Sequence, residues 1–197
     1  MARIYAWVLG AVLVLAVFGW QVERLTRADP LPYLDSLGGD FRLQSTLGGS
    51  QQLSDFHGEI VLLNFGYTSC PMVCPVALAR MRDVVAAVNA HEVPVRAVFV
   101  TLDPERDTME RLEPYIEFWG DAFVGMTGSV EEIGAATAPY KVFYEKDEIV
   151  SELEYSITHS SHIYVLDPQG NVRTTFAQSI TVPTMIEKVH QLQEEAG

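Results

Sequence analysis

Two almost unbroken apolar runs, Ile60-Val-Leu-Leu-Asn-Phe65 and Val95-Arg-Ala-Val-Phe-Val-Thr-Leu102, constrain this chain more than any other feature. A strand with one face in water alternates apolar and polar residues, whereas runs like these read as strands covered on both faces of a sheet. Between them, Val76 to Val88 places Leu78, Met81, Val84, Val85 and Val88 at helical spacing. Strand, helix and strand then form a right-handed βαβ unit with parallel strands. A chain of 197 residues has room for one such domain with a sizeable core, and not for two with linkers.

The remaining patterns build outward from this unit. Phe41-Arg-Leu-Gln-Ser-Thr-Leu47 alternates, Gly48-Gly49 turns and Gln51-Gln-Leu53 returns, which predicts an N-terminal β-hairpin. Asp107 and Glu110 stand in capping-box spacing at the head of a helix over Met109 to Trp119. Phe123 to Thr127 is a short strand, and Ser129 caps a helix over Val130 to Thr137. Lys141 to Glu145 and Ser151 to Tyr155 flank a charged turn and read as a hairpin. His162 to Asp167 and Val172 to Phe176 make another around Pro168-Gln-Gly-Asn171, and a helix from Val182 to about Glu195 closes the chain. This order predicts an α/β domain over residues 38–197, a central mixed sheet flanked by helices in a thioredoxin-like layout.

Ahead of the domain, residues 1–3 are a short tail and Ile4 to Val22 an apolar stretch with one polar side chain, Gln21. As a helix it reaches roughly 28 Å, nearly a hydrocarbon core, with Trp7 and Trp20 near its ends. The expectation is a single transmembrane anchor over 4–22 and a polar, proline-containing tether over 23–37. A cleavable signal peptide is the rival, but its apolar stretch is usually shorter and ends in an A-x-A-like site. Arg3 on one side and Arg24 and Arg27 on the other leave orientation open. No Arg-rich transit stretch precedes Ile4, which favours a bacterial inner-membrane protein over an organellar precursor. Acidic residues outnumber basic ones 26 to 13, a net charge of −13, which argues against nucleic acid and anionic lipid surfaces and for a basic partner, a cation or mere solubility.

The chemistry centres on Phe65-Gly-Tyr-Thr-Ser-Cys-Pro-Met-Val-Cys-Pro75. Cys70 and Cys74 are the chain's two cysteines. As a structural staple they would close a loop of about five residues, worth only roughly 2 kcal/mol. They end a buried strand and open a helix, where free N–H groups and the helix dipole favour a thiolate. Pro75 suits the first helical position, which leaves Cys70 to Cys74 as the loop ahead of the helix, with both sulfurs able to converge. The C-x-x-x-C spacing is one residue wider than the C-x-x-C of thioredoxin-type oxidoreductases and admits a metal between the sulfurs. Two thiolates alone suit Cu(I) and leave zinc short of ligands, so a third ligand is sought among the five histidines. His57, His91 and His190 fall in turns or on polar helix faces. His159 and His162 enter a core strand of the same sheet, and their spacing lets at most one face the thiols. Met72, inside the loop, is a soft thioether read as a surface or packing residue.

Asn64 to Pro75, then Leu102-Asp-Pro-Glu-Arg-Asp-Thr108, then a histidine nine residues before Pro168-Gln-Gly170, together resemble the Sco/SenC family over nearly the whole chain after residue 22. The resemblance implies a membrane-tethered, thioredoxin-fold copper chaperone that helps assemble the binuclear copper centre of cytochrome c oxidase. It implies copper, as Cu(I) or Cu(II), held by Cys70, Cys74 and His159, with His162 as a possible accessory. Partners would be the copper-bearing oxidase subunit, other copper carriers and thiol reductants, with the globular domain in the periplasm. Asp103 and Asp107 match the family's acidic motif and read here as turn-forming and helix-capping residues. Met72 and Ser69 depart from the family's usual residues without removing a ligand. The alternatives are a thiol–disulfide reductase acting on the oxidase cysteines through Cys70 and Cys74, a peroxidase of the same fold, and a membrane-anchored copper or redox sensor.

Overall fold

The structure, a computed structural model, describes residues 13, 15–21, 29–88, 93–147 and 155–196. The chain divides into two units, Met1–Pro30 and Leu31–Gly197. In the first, residues 15–21 are helical, with Leu15, Val17 and Phe18 exposed. Among the described residues no helix is long and apolar enough to cross a membrane. Most of the anchor expected over 4–22 lies outside them, as does the tether up to residue 28.

The second unit opens with β1 (Arg42–Ser45) and β2 (Ser50–Gln52), the antiparallel hairpin expected, with Arg42 opposite Gln52. Gly48 and Gly49 turn it at φ of 94° and 69°, a region that side chains disfavour. The parallel core follows as β3 (Ile60–Gly66), β4 (Val95–Thr101) and β5 (Phe123–Thr127), with Ile60 beside Val95 and Ala97 beside Phe123. β6 (Tyr144–Lys146) and β7 (Ile157–His159) form a separate ribbon. β8 (Ile163–Leu166) and β9 (Val172–Phe176) return to the main sheet, whose order is β2-β1-β5-β4-β3-β8-β9.

Four helices cover this sheet: α1 (Val73–Val88), α2 (Met109–Glu117), α3 (Val130–Thr137) and α4 (Val182–Ala196). The unbroken apolar run of β3 is explained by two cores. Ile60 and Leu62 join Leu78, Met81 and Val84 of α1, Leu112 of α2 and Val189 of α4. Val61, Leu63 and Phe65 point the other way into Val100, Ile133 of α3, Tyr140 and Tyr164. Ser129 caps α3 as expected, its side chain accepting from Glu132 N–H while Glu132 accepts from Ser129 N–H.

Three local expectations are corrected. The partner of β6 is Ile157–His159, not Ser151 to Tyr155, and residues 151–154 lie outside the described ones. The reason is burial, because Ile157 is the side chain the ribbon covers while Tyr155 turns away to Asp103. α1 starts at Val73, so Cys74 lies in its first turn and not in the loop before it. The first four N–H groups of a helix lack an acceptor within it, so Pro75 fits the third position as well as the first. Finally, Thr108 is the N-cap of α2, and Asp107 is buried with another task.

Candidate metal centre

β3 ends at Gly66, where a side chain is impossible without rearrangement. A Cβ there would lie 2.7 Å from Cys74 Sγ and 2.9 Å from Phe99 Cε2. The second sulfur therefore rests directly on the strand end. Gly66→Ala is expected to push Cys74 away and destabilise the protein by about 1–3 kcal/mol, read as a lowered urea midpoint at unchanged slope; a midpoint equal to wild type would show that the sulfur does not pack there.

Beyond Gly66 the chain leaves the sheet through Tyr67 and turns at Thr68-Ser69 into Cys70. Cys70 N–H donates to Tyr67 O at 3.2 Å, and the first helical bond runs from Val76 N–H to Met72 O. Cys74 N–H, without an acceptor inside α1, donates to Cys70 Sγ at 3.4 Å. That exchange of partners ties the first sulfur to the helix start.

The third group arrives on β7. His159 Nε2 stands 3.5 Å from Cys74 Sγ. Its Nδ1 lies 2.9 Å from the Ser160 carbonyl oxygen, which only accepts, so in the neutral ring Nδ1 carries the hydrogen and Nε2 presents a lone pair to the sulfurs. One ligand atom from each of Cys70, Cys74 and His159 lies within 4.8 Å of the others, and among the described residues this is the group able to hold a metal ion. A cavity of about 350 Å³ opens onto it, walled by Tyr67, Met72, Ile157 and Gln178.

The two thiols differ. For Cys70, burial pushes the pKa upward, but the N–H groups of Cys74, Met72 and Val73 outweigh it and bring the thiol below its ordinary value. Cys74 is pushed well above that value, by burial first and then by the neighbouring Cys70 charge. A lowered pKa means that the thiolate appears at lower pH, so Cys70 is expected to be alkylated by iodoacetamide at a pH where Cys74 stays protonated. Peptide mapping of partially labelled protein checks this, and equal labelling of both residues would contradict it.

Asp107, fully buried, holds the cysteine loop in place. Thr68 N–H and Thr68 Oγ1 donate to its two oxygens at 2.9 and 2.5 Å, and Thr101 Oγ1 donates at 2.6 Å. Arg111 adds donations to Thr68 Oγ1 and Ser69 Oγ, each at 2.8 Å. The capping reading of Asp107 missed this because its partners lie in other elements. Asp103 is likewise buried, in an ion pair with Arg106.

The other candidates fall away from the sulfurs. His162 is exposed just before β8, and its carbonyl accepts from Asn64 Nδ2 at 3.2 Å. His57 is exposed in a turn, His190 on α4 sits 3.1 Å from Gln193, and His91 lies outside the described residues. Met72 is 68% exposed on the cavity rim and so does not serve as packing.

A mixed α/β domain with a soft cysteine–cysteine–histidine trio at the end of its central strand defines a class of thiol or metal-handling proteins. Within that class the chain belongs to the SCO1/SenC family, whose family model matches residues 31–194. Among its relatives, the human mitochondrial protein SCO2 homolog is 31% identical over 184 residues, 92% of this chain and 69% of that protein. The chain spans roughly two thirds of the length of that protein and of a SCO2-like protein of Rickettsia felis. The copper-bound crystal structure of ScoI from Arabidopsis thaliana superimposes with a TM-score of 0.75 at 29% identity, covering 81% of this chain and 99% of that one. Copper-bound ScoI of Bradyrhizobium japonicum gives 0.71 at 29% identity, covering 80% and 98%. The expected thioredoxin-like arrangement, a central sheet flanked by helices, is thus the fold of these Sco structures.

Proposed function

We propose that this protein carries copper on Cys70, Cys74 and His159 and delivers it to the binuclear copper centre of cytochrome c oxidase. The observation that carries this reading is the donor set, two sulfurs and one imidazole nitrogen gathered within 4.8 Å. Soft sulfur with imidazole suits copper, the absence of carboxylate from the trio disfavours magnesium and calcium, and a closed structural zinc site would need a fourth protein ligand. Copper-bound relatives of the same fold support the choice.

Copper is cargo in this account. Cys70 and His159 line the cavity and Cys74 is the more buried sulfur, so an incoming ion meets the Cys70 thiolate and the His159 lone pair before Cys74 gives up its proton. In release an acceptor's thiol or imidazole reaches the outer ligands first and replaces them first, so that the buried Cys74 lets go last. Thiols outside the cytoplasm oxidise, so loading also requires a reductant that keeps the pair open.

The apolar stretch over 4–22 would anchor the protein in a bacterial inner membrane, the polar segment after it leading to a domain in the periplasm. Protection of the domain from protease added to right-side-out vesicles would contradict that placement.

The test of delivery is to mix copper-loaded full chain with the copper-free oxidase subunit, then separate and assay both. Copper is expected on the subunit, in one-to-one loss from the donor. Retention by the donor, with copper-free protein reducing the subunit's disulfide instead, would replace delivery by the thiol–disulfide reductase reading.

A further inference from the structure

The arm that carries His159 has little of its own to hold it. Among the described residues β6 and β7 pair only with each other, and an isolated two-stranded ribbon is marginal in water. A metal site nevertheless needs its ligands held within about 0.5 Å. The bracing comes from the turn between β4 and α2.

There, Asp103 and Arg106 form an ion pair with side chains only 0% and 7% exposed, Arg106 Nε donating to Asp103 Oδ2. From this pair three contacts reach the residue that leads into β7. Tyr155 OH donates to Asp103 Oδ1 at 2.6 Å. Arg106 Nη1 donates to the Tyr155 carbonyl at 3.0 Å. The guanidinium lies over the Tyr155 ring, 3.6 Å from its centroid. The same guanidinium is 5.9 Å from the centroid of Tyr67. Tyr67 in turn meets the His159 ring edge-on, 5.8 Å between centroids, and its hydroxyl accepts Ile157 N–H at 3.3 Å. Lys146 closes the outer side on Glu105 at 2.5 Å.

A buried ion pair is often no more stabilising than apolar residues of the same volume, so stability alone is a poor reason for this one. Its contacts converge instead on the two tyrosines that bracket the histidine arm. Building on the copper site proposed above, we propose that Arg106 is a positioning residue, held by Asp103 and acting through Tyr155 and Tyr67 to present His159 to the two sulfurs. Asp107, four residues from Asp103, does the same for the cysteine loop through Thr68. One short turn thereby sets both halves of the site.

Two measurements on the full chain test this. The first needs no metal: in Arg106→Gln, hydrogen exchange at the Ile157 amide should accelerate about tenfold or more while that of Leu62 in β3 stays within about threefold. The second is a double-mutant cycle on copper affinity, in which His159→Ala weakens binding by about tenfold or more in the wild type but by less than about threefold in Arg106→Gln. If Arg106→Gln does not fold, Tyr155→Leu, which leaves the buried pair intact, takes its place with the same expectations. Unchanged Ile157 exchange, or an undiminished His159→Ala effect in the variant background, overturns the proposal. Should His159→Ala have no effect in the wild type, the copper-ligand reading itself fails, and Ile157 exchange alone judges whether Arg106 braces the arm.

Discussion

Cys74→Ala is expected to weaken copper binding by roughly a thousandfold, about 4 kcal/mol, while costing the fold only about 1 kcal/mol for the small void it leaves. The asymmetry follows from where the sulfur sits. Cys74 is almost wholly buried beside Gly66, so no water or side chain from the surface takes its place as a donor. Its removal leaves Cys70 and His159, a pair too sparse to hold an ion against competing thiols. Competition with a copper chelator, alongside a thermal melt, separates the two effects. Affinity within about tenfold of wild type, with the melt unchanged, would mean that Cys74 is not a ligand.

Asp107→Ala is expected to be the most damaging change to stability near the site, at about 3–5 kcal/mol. Three donors, Thr68 N–H, Thr68 Oγ1 and Thr101 Oγ1, lose an acceptor in a place water does not reach. The loop bearing Cys70 would also lose its attachment to the turn ahead of α2, keeping only the Arg111 contacts. Asp107→Asn should cost less, since one carbonyl oxygen still accepts, but its amide hydrogens would face at least one of those donors. Urea unfolding of the three proteins checks the order. A loss below about 1 kcal/mol for the alanine variant would show that Asp107 is a surface cap after all.

How much of this was legible in the sequence depended on how local each cause is. β3 and β4 announce themselves because residues on both faces are buried, and Ser129 with Glu132 is a complete capping signal within four residues. Cys70 and Cys74 stand out by spacing alone. His159 was separable from His162 only by resemblance, because the ribbon that carries it departs from the main sheet and no alternation marks that departure. The roles of Asp107, Arg106 and Tyr155 were hidden for a different reason. Asp107 has the spacing of a helix cap, and what redirects it is Thr68 from the turn after β3 and Thr101 from β4. The start of α1 differs from its expected place because a proline is tolerated throughout a first helical turn, so Pro75 marks a helix start only to within two residues.

One copper ion bound among Cys70, Cys74 and His159 has a distinct spectroscopic signature. X-ray absorption at the copper edge of the loaded full chain reads it, with His159→Ala measured beside it. The expected result is one copper per chain with two sulfur neighbours and one imidazole, and a variant that loses the imidazole scattering while keeping both sulfurs. A spectrum without sulfur neighbours, or an imidazole signal that survives in the variant, would contradict it.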